Sequence, residues 1–173
     1  MARLPAGLKA WRGPITDLLN DNRLFNSTVN EAMKWTTIVK LMFEADKAAF
    51  SDVLGKSKGS RTIPAKLIMI SAKVAAAPSA NIFTNREYEM LLRSLNVRRL
   101  SFALFAGDKN QFLTQLPTIL EKLVEVLRTV TSPVVQSEVF LCIRVLLCRL
   151  SPHNLTGFWP VVLTELVGSP LNV

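Results

Sequence analysis

The sequence predicts an all-α protein, and three observations support that fold class. Hydrophobic residues make up 49% of the 173 residues and charged residues 20%, a balance typical of a folded domain. Only seven glycines and one tyrosine are present, and valine and threonine are used modestly, so β-strands have little to form from. Between proline and capping signals, apolar residues recur every three or four positions, which is the helical period.

Helix signals in the N-terminal third are local and clear. Pro14 predicts the start of a short helix, because proline is tolerated in a first turn. Thr28 and Glu31 form a capping box, which predicts a helix that pauses at Asp46 and then resumes as far as Gly55. The buried stripe expected on this helix comprises Val29, Met33, Trp35, Ile38, Met42 and Phe43.

The middle of the chain predicts a loop over 56–61 and a helix over 62–77. Thr84 and Glu87 form a second capping box, which predicts the start of a long helix that ends at Gly107. The expected apolar stripe of this helix comprises Tyr88, Leu91, Leu92, Leu95, Phe102 and Phe105.

Residues 113–130 carry leucines at alternating spacings of three and four, which favours a helix packed against another helix of the same chain. Pro117 places the start of this helix around Gln115–Pro117. Pro133 then begins a helix that is apolar on nearly every side and is expected to be central. Arg144 inside it is expected to be buried and paired.

The only histidine, His153, follows Pro152 at a predicted turn between two helices. No serine, cysteine or carboxylate beside it forms a nucleophile–base pair in sequence, so we expect it to be exposed or bonded to a backbone carbonyl. Cys142 and Cys148 lie six residues apart, do not face each other, and are expected to be two buried thiols.

The sequence contains none of the common catalytic or cofactor motifs. There is no phosphate loop, no dinucleotide-binding glycine pattern, no zinc-type cysteine spacing and no pair of carboxylates that suggests acid–base chemistry. We therefore predict a protein without enzymatic activity, cofactor or metal. No stretch of 18 residues is free of charge and strong polarity, so no transmembrane helix is predicted.

Positive charge is concentrated in one window. Of the formal net charge of +8, residues 53–107 carry +7, from nine basic and two acidic residues. Such a field indicates an acidic protein face or an anionic membrane as partner, or else a solvated face without a ligand. Nucleic-acid binding is not predicted, because the aromatic residues of this window belong mostly to the expected core.

Helices joined by short turns predict an α-solenoid of degenerate HEAT- or armadillo-like hairpins. We expect residues 1–173 to form a single helical-repeat domain, cut from a much larger protein as a C-terminal fragment. Within it, residues 28–168 are the expected stacked helices and residues 1–27 an N-terminal helix or arm.

Three stretches of this sequence resemble the C-terminal region of the Dopey family: ADKAAFSDVL (45–54), IFTNREYEMLLRSLNVRRLSFALF (82–105) and QSEVFLCIRVLLCRLSPHNLTGFWPVVLTEL (136–166). The resemblance covers roughly residues 30–167, and the first thirty residues match poorly. These proteins are described as very large cytoplasmic proteins that lie peripherally on Golgi and endosomal membranes.

The resemblance implies a scaffold that acts in endosome-to-Golgi retrieval and Golgi organisation, without enzymatic activity. It implies a large partner similar to the Sec7-type regulators of Arf GTPases, an aminophospholipid flippase and, in animals, conventional kinesin. The competing hypothesis is direct docking on anionic lipid, such as phosphoinositide or phosphatidylserine head groups.

Two sets of residues are the candidate binding sites. The predicted basic band, which binds either a protein or lipid, comprises Lys66, Lys73, Arg86, Arg93, Arg98 and Arg99. Arg98 or Arg99 is alternatively structural, pairing with an acid in the next helix. Residues suited to pairing two copies of the chain as a homodimer are Leu116, Leu120, Leu123, Leu127, Trp159 and Leu163.

Overall fold

The computed structural model describes residues 5–56 and 81–168, which are all-helical as predicted, with no β-strand among them. The seven α-helices of this part are α1 (Pro5–Asn20), α2 (Val29–Ala45), α3 (Lys47–Lys56), α4 (Asn81–Ala106), α5 (Leu116–Thr129), α6 (Pro133–Arg149) and α7 (Phe158–Gly168). Short 3-10 helices cover Asn22–Asn26, Leu113–Gln115 and Pro152–Asn154. The predicted helix over 62–77 lies outside the described residues, as does the predicted loop except for Lys56, which ends α3.

The first capping box is confirmed. The Thr28 hydroxyl accepts a hydrogen bond from the Glu31 N–H (3.4 Å), and the Glu31 carboxylate accepts one from the Thr28 N–H (2.9 Å). The backbone hydrogen bond, followed by the one from the Thr28 hydroxyl, holds the pKa of Glu31 below its usual value. The break between α2 and α3 at Asp46 is also as predicted.

Two predicted helix starts are wrong. Helix α1 begins at Pro5, so Pro14 lies inside it, and α4 begins at Asn81, so Thr84 lies inside it. An internal proline costs about 3 kcal/mol because it removes one backbone hydrogen bond. In α1 this cost is offset by the burial of Ile15 and Leu19. In α4 the backbone before Thr84 is already helical, so the predicted capping box of Thr84 and Glu87 does not set the start of this helix.

Helices α2, α4 and α6 form one layer in which α4 is in contact with both of the others. Arg98 of α4 lies opposite Glu138 of α6, and further along both helices the Arg149 guanidinium donates to the Phe105 carbonyl (2.9 Å). Helices α4 and α6 therefore run in the same direction. Their mutual contact is the most extensive between any two helices of the described part.

Helix α2 is parallel to α4 for the same kind of reason. Phe25, just before α2, packs edge-on against Phe102 of α4, with ring centroids 6.4 Å apart. Lys40, near the end of α2, forms an ion pair with Asp108 just after α4 (2.7 Å). The order of these contacts along both helices places the two carboxyl ends together.

A second layer is formed by α3, α5 and α7. Helix α5 packs against α7, and the buried ammonium of Lys122 in α5 donates to the Leu54 carbonyl in the last turn of α3. Helix α5 also packs against α6, which follows it after a three-residue connection, so these two helices form an antiparallel hairpin.

Three phenylalanines close the core where the layers meet. The Phe50 and Phe112 rings stack with centroids 3.8 Å apart, and Phe43 packs edge-on against both. A Cβ atom at Gly107 would lie 2.3 Å from the Phe112 ring, so this position requires glycine as the chain leaves α4.

The predicted stripes are correct in part. Met42 and Phe43 of α2 and Leu95 of α4 are buried, but Val29, Met33, Ile38, Leu91 and Phe105 are exposed. Arg144 is also exposed, so the expectation of a buried, paired arginine at that position is wrong. The carboxylate that α6 buries is instead Glu138.

Replacing Lys122 by Met is expected to destabilise the fold. The buried Leu54 carbonyl loses the hydrogen bond from the Lys122 ammonium, and a hydrogen bond that involves a charged group contributes about 1.5–3 kcal/mol. Urea unfolding followed by circular dichroism measures the loss. Lys34→Met, at an exposed position of α2, is the matched control and is expected to stay within about 0.5 kcal/mol of wild type. A Lys122→Met variant as stable as the control would contradict the role assigned to this contact.

Candidate interaction surfaces

His153 lies on the exposed turn between α6 and α7, as predicted, and its backbone carbonyl accepts a hydrogen bond from the Thr156 hydroxyl (2.7 Å). Within residues 5–56 and 81–168, no group of three histidine, cysteine, aspartate or glutamate side chains is placed to hold a metal ion. None of the described helices is both long and apolar enough to cross a bilayer.

The two cysteines differ in environment. Cys142 is buried between the helices, and burial raises the pKa of its thiol to about 12. Cys148 is exposed near the end of α6, so the prediction of two buried thiols is wrong for this residue. It points away from the core because it lies on the outward side of α6, opposite the buried positions Cys142 and Leu146.

Four of the six residues of the predicted basic band lie among the described residues, all of them on α4. Lys66 and Lys73 lie outside the described residues. Arg86 is exposed, and Arg93 forms an ion pair along its own helix with Glu89 (2.9 Å). Pairs of this kind are worth a few tenths of a kcal/mol, so Arg86 and Arg93 remain accessible to a partner.

Arg98 serves the contact between α4 and α6. Its guanidinium donates through Nε to the Glu138 carboxylate (3.0 Å), and a second nitrogen donates to the same oxygen. This hydrogen bond raises the pKa of Arg98. The guanidinium also lies over the Phe25 ring, 5.7 Å from its centroid. Because the Glu138 side chain is only 6% exposed, Arg98 compensates a buried charge.

Arg99 serves the contact between α4 and α1. It donates to the backbone carbonyl of Asn20, the last residue of α1 (2.6 Å), and to the Asn96 side-chain oxygen (2.8 Å). Burial lowers the pKa of Arg99. The structural alternative considered for Arg98 or Arg99 therefore describes both of them. Arg98 pairs with an acid, but that acid lies on α6, two helices further along, and not on the next helix.

A second surface is an open groove between α5 and α7, with a volume of about 780 Å³. Its floor is apolar and comprises Leu116, Leu120, Val124, Phe158 and Val161. We call this surface the α5–α7 groove. Two acidic residues and one basic residue, Glu121, Glu125 and Arg128, stand at its rim on successive turns of α5, and all three are exposed.

Asn110 fixes the position of α7 beside this groove. It adopts a left-handed backbone conformation (φ 64°), which asparagine tolerates better than most residues, and its N–H donates to the Arg149 carbonyl (2.9 Å). Its side chain accepts from the Ser151 N–H (2.8 Å) and the Asn154 amide (3.2 Å). The turn that leads into α7 is thereby attached to the loop that leads into α5.

The residues predicted to pair two copies of the chain differ in how deeply they are buried. Leu123 is buried in the core, and Leu127 is half-buried and does not line the groove. Leu116 and Leu120 line the α5–α7 groove, while Trp159 and Leu163 are exposed on α7. Sequence reasoning missed Val124 and Val161, because a leucine row shows which helix is amphipathic but not which neighbour leaves part of it open.

Comparison with known proteins decides the family. The family model described as DOP1 C-terminal matches residues 1–170 of this chain. The chain belongs to the Dopey (DOP1) family. The match includes the first thirty residues, beyond the range 30–167 indicated by the motifs.

Curated relatives in the DOP1 family align with nearly the whole chain. The Drosophila melanogaster "Protein DOP1 homolog" is 34% identical over 92% of this chain, and Caenorhabditis elegans "Protein pad-1" is 36% identical over 91%. Mouse "Protein DOP1B" is 26% identical over 92%. In each case the chain spans about 6% of the relative's length, and none of these names denotes an enzyme. No solved structure matches the chain.

Removing Arg98 is expected to destabilise the domain far more than removing Arg93. Arg98→Met leaves the buried Glu138 carboxylate uncompensated, which costs about 2–3 kcal/mol. This is less than the roughly 3–5 kcal/mol of a fully buried pair, because the Arg98 side chain is 42% exposed. Arg93→Met, which breaks only a surface pair, is the control and should cost at most about 0.5 kcal/mol.

Denaturant unfolding of both variants and of Arg98→Met/Glu138→Leu completes the test. Because the double variant removes both charges, it should recover part of the stability lost in Arg98→Met. Equal losses in Arg98→Met and Arg93→Met would refute a structural role for Arg98.

Thiol labelling should distinguish the two cysteines. Only the thiolate reacts, so the folded chain should take up one equivalent of iodoacetamide at pH 8, on Cys148, and two equivalents in denaturant. Raising the pH toward 10 should leave Cys142 unlabelled while the chain stays folded, since its thiol pKa is about 12. Mass spectrometry of the peptides reads out the sites, and native labelling of Cys142 would show that the α4–α6 core opens.

Proposed function

We propose that this chain is a non-enzymatic protein–protein interaction domain of a scaffold in endosome-to-Golgi and Golgi membrane trafficking. Membership of the Dopey family supports this role. We further propose that its helices are degenerate HEAT-like hairpins of an α-solenoid. The support is the two-layer arrangement, with α2, α4 and α6 parallel in one layer and α3, α5 and α7 in the other.

The observation that carries the proposal is the α5–α7 groove. An interaction domain needs an apolar surface left open by its own fold, and this groove leaves leucine and valine side chains accessible between two helices. The proposed partners are those implied by the family resemblance: a large Sec7-related scaffold, an aminophospholipid flippase or conventional kinesin. The proposed location is peripheral, on Golgi and endosomal membranes.

Docking on anionic lipid through the basic band has weaker support. Arg98 and Arg99 are engaged in contacts within the fold, which leaves Arg86 and Arg93 as the accessible members among the described residues. Each basic residue near an anionic surface contributes on the order of 1 kcal/mol, so two such residues hold a domain only weakly.

The proposal is tested by the cellular localisation of variants in the α5–α7 groove and in the basic band. A fluorescent fusion of the chain should co-localise with Golgi or endosomal markers, and Val161→Asp should become diffuse because a charge enters the groove at a partly exposed position. Arg86→Glu/Arg93→Glu should stay localised. Flotation of the purified chain with vesicles containing phosphatidylserine or phosphoinositide measures direct binding to lipid.

The outcomes separate the two functions. Failure of the wild-type fusion to reach these membranes would contradict the trafficking role. Loss of localisation and of flotation in Arg86→Glu/Arg93→Glu alone would favour lipid docking instead. Val134→Asp, an equally apolar exposed position on α6, controls for the added charge.

A further inference from the structure

We propose that the α5–α7 groove receives an amphipathic helix of a partner protein, with lysine or arginine residues flanking its apolar stripe. This inference rests on the proposed function and names the chemistry of the partner. It depends on two features of the groove, the arrangement of its apolar floor and the charge of its rim.

The apolar lining of the groove suits a helix because it is formed by two helices, one on each side. Leu116, Leu120 and Val124 of α5 follow one another at intervals of four residues and so form a continuous apolar wall along one side. Phe158 and Val161 of α7 form the other side at an interval of three. A partner helix with apolar residues at positions i, i+3 or i+4, and i+7 fits between two such walls.

The dimensions of the walls limit the length of the occupant. Helix α5 has 14 residues and α7 has 11, which corresponds to lengths of about 21 Å and 16 Å at 1.5 Å per residue. The matching partner segment is about three helical turns.

The rim selects for positive charge. Glu121 and Glu125 lie four residues apart, so their carboxylates stand side by side on one edge of the groove, and no salt bridge joins either of them to another described residue. Arg128 follows on the same face of α5 and also lines the groove, so this edge carries two carboxylates and one guanidinium. The net charge of the chain is +8, so the edge is still a local negative region on a positive protein. Basic residues spaced i, i+4 on the partner helix would face both carboxylates, which sets the orientation of that helix.

The acidic rim also disfavours an anionic membrane as the occupant. Head groups carrying phosphate or carboxylate would approach Glu121 and Glu125 with like charge, which costs energy instead of gaining it. The basic partner helix is therefore the occupant to which the charge pattern points.

Direct binding of designed peptides to the purified chain tests the proposal. The probes are fluorescein-labelled peptides of about 14 residues. One has leucines at helical spacing flanked by lysine and arginine, its twin carries glutamate in place of the basic residues, and a third is a scrambled basic peptide. Fluorescence anisotropy at low ionic strength should show binding of the basic amphipathic peptide at least about tenfold tighter than either control.

Two groove variants and two matched controls complete the design. Glu121→Lys/Glu125→Lys should weaken binding of the basic peptide about tenfold and improve binding of the acidic twin, and Val161→Asp should weaken both. The control for charge reversal is Asp17→Lys/Glu87→Lys, at exposed positions of α1 and α4, and the control for an apolar-to-acid change is Val134→Asp on α6. All changes are at exposed positions, and circular dichroism verifies folding.

Each outcome decides the proposal. Equal binding of the basic and acidic peptides, or binding unaffected by Glu121→Lys/Glu125→Lys and Val161→Asp, overturns it. So does sedimentation showing that the chain self-associates and that Val161→Asp makes it monomeric, since the occupant is then a second copy. If Val161→Asp abolishes localisation in cells while the peptides fail to discriminate, the trafficking role stands and the basic helix is excluded.

Discussion

The structure depends on the contact that α4 makes with α6 around a buried carboxylate. Glu138 is almost fully removed from solvent, and its Oε2 atom finds no hydrogen-bond partner among the described residues, so its charge relies on Arg98. A buried charge of this kind is costly unless it is compensated, and the guanidinium satisfies it while stacking on Phe25. The relative position of the two helices is thereby specified by polar contacts as well as by apolar packing.

This constraint gives part of the positive charge a structural role. A window carrying +7 suggested a binding face, yet two of its arginines are occupied in joining α4 to its neighbours. The sequence does contain the signal for this, because Arg98 and Arg99 interrupt the apolar stripe of a long helix. Which acid or carbonyl each one reaches is a tertiary property that spacing within one helix does not encode.

The elements themselves were largely predictable, because caps and prolines act locally. The capping box at Thr28, the break at Asp46 and the start of α6 at Pro133 all lie where the sequence places them. The helix start predicted at Pro14 was wrong because burial of neighbouring residues outweighs the loss of a single backbone hydrogen bond. The exposed Val29 and Met33 show a further limit, since apolar spacing identifies a stripe but not whether another element covers it.

The candidate site was predictable only in part for the same reason. The leucine row contains Leu116 and Leu120, which line the α5–α7 groove, and also Leu123, which is buried in the core. The difference between them depends on where α7 packs, and the side-chain hydrogen bonds of Asn110 fix that position from a separate loop. An asparagine in a loop gives no sequence signal of this kind.

The hydrogen bonds that basic side chains make to helix carboxyl ends have an electrostatic consequence for the whole chain. The backbone carbonyls of Asn20, Leu54 and Phe105, each in the last turn of its helix, accept hydrogen bonds from Arg99, Lys122 and Arg149 respectively. Peptide dipoles add along a helix, so each of these ends carries about half a negative charge. Parallel helices also gather their negative poles at one edge of a layer. Part of the protein's basicity therefore neutralises its own backbone, and the field that a distant ligand experiences is smaller than the formal charge implies.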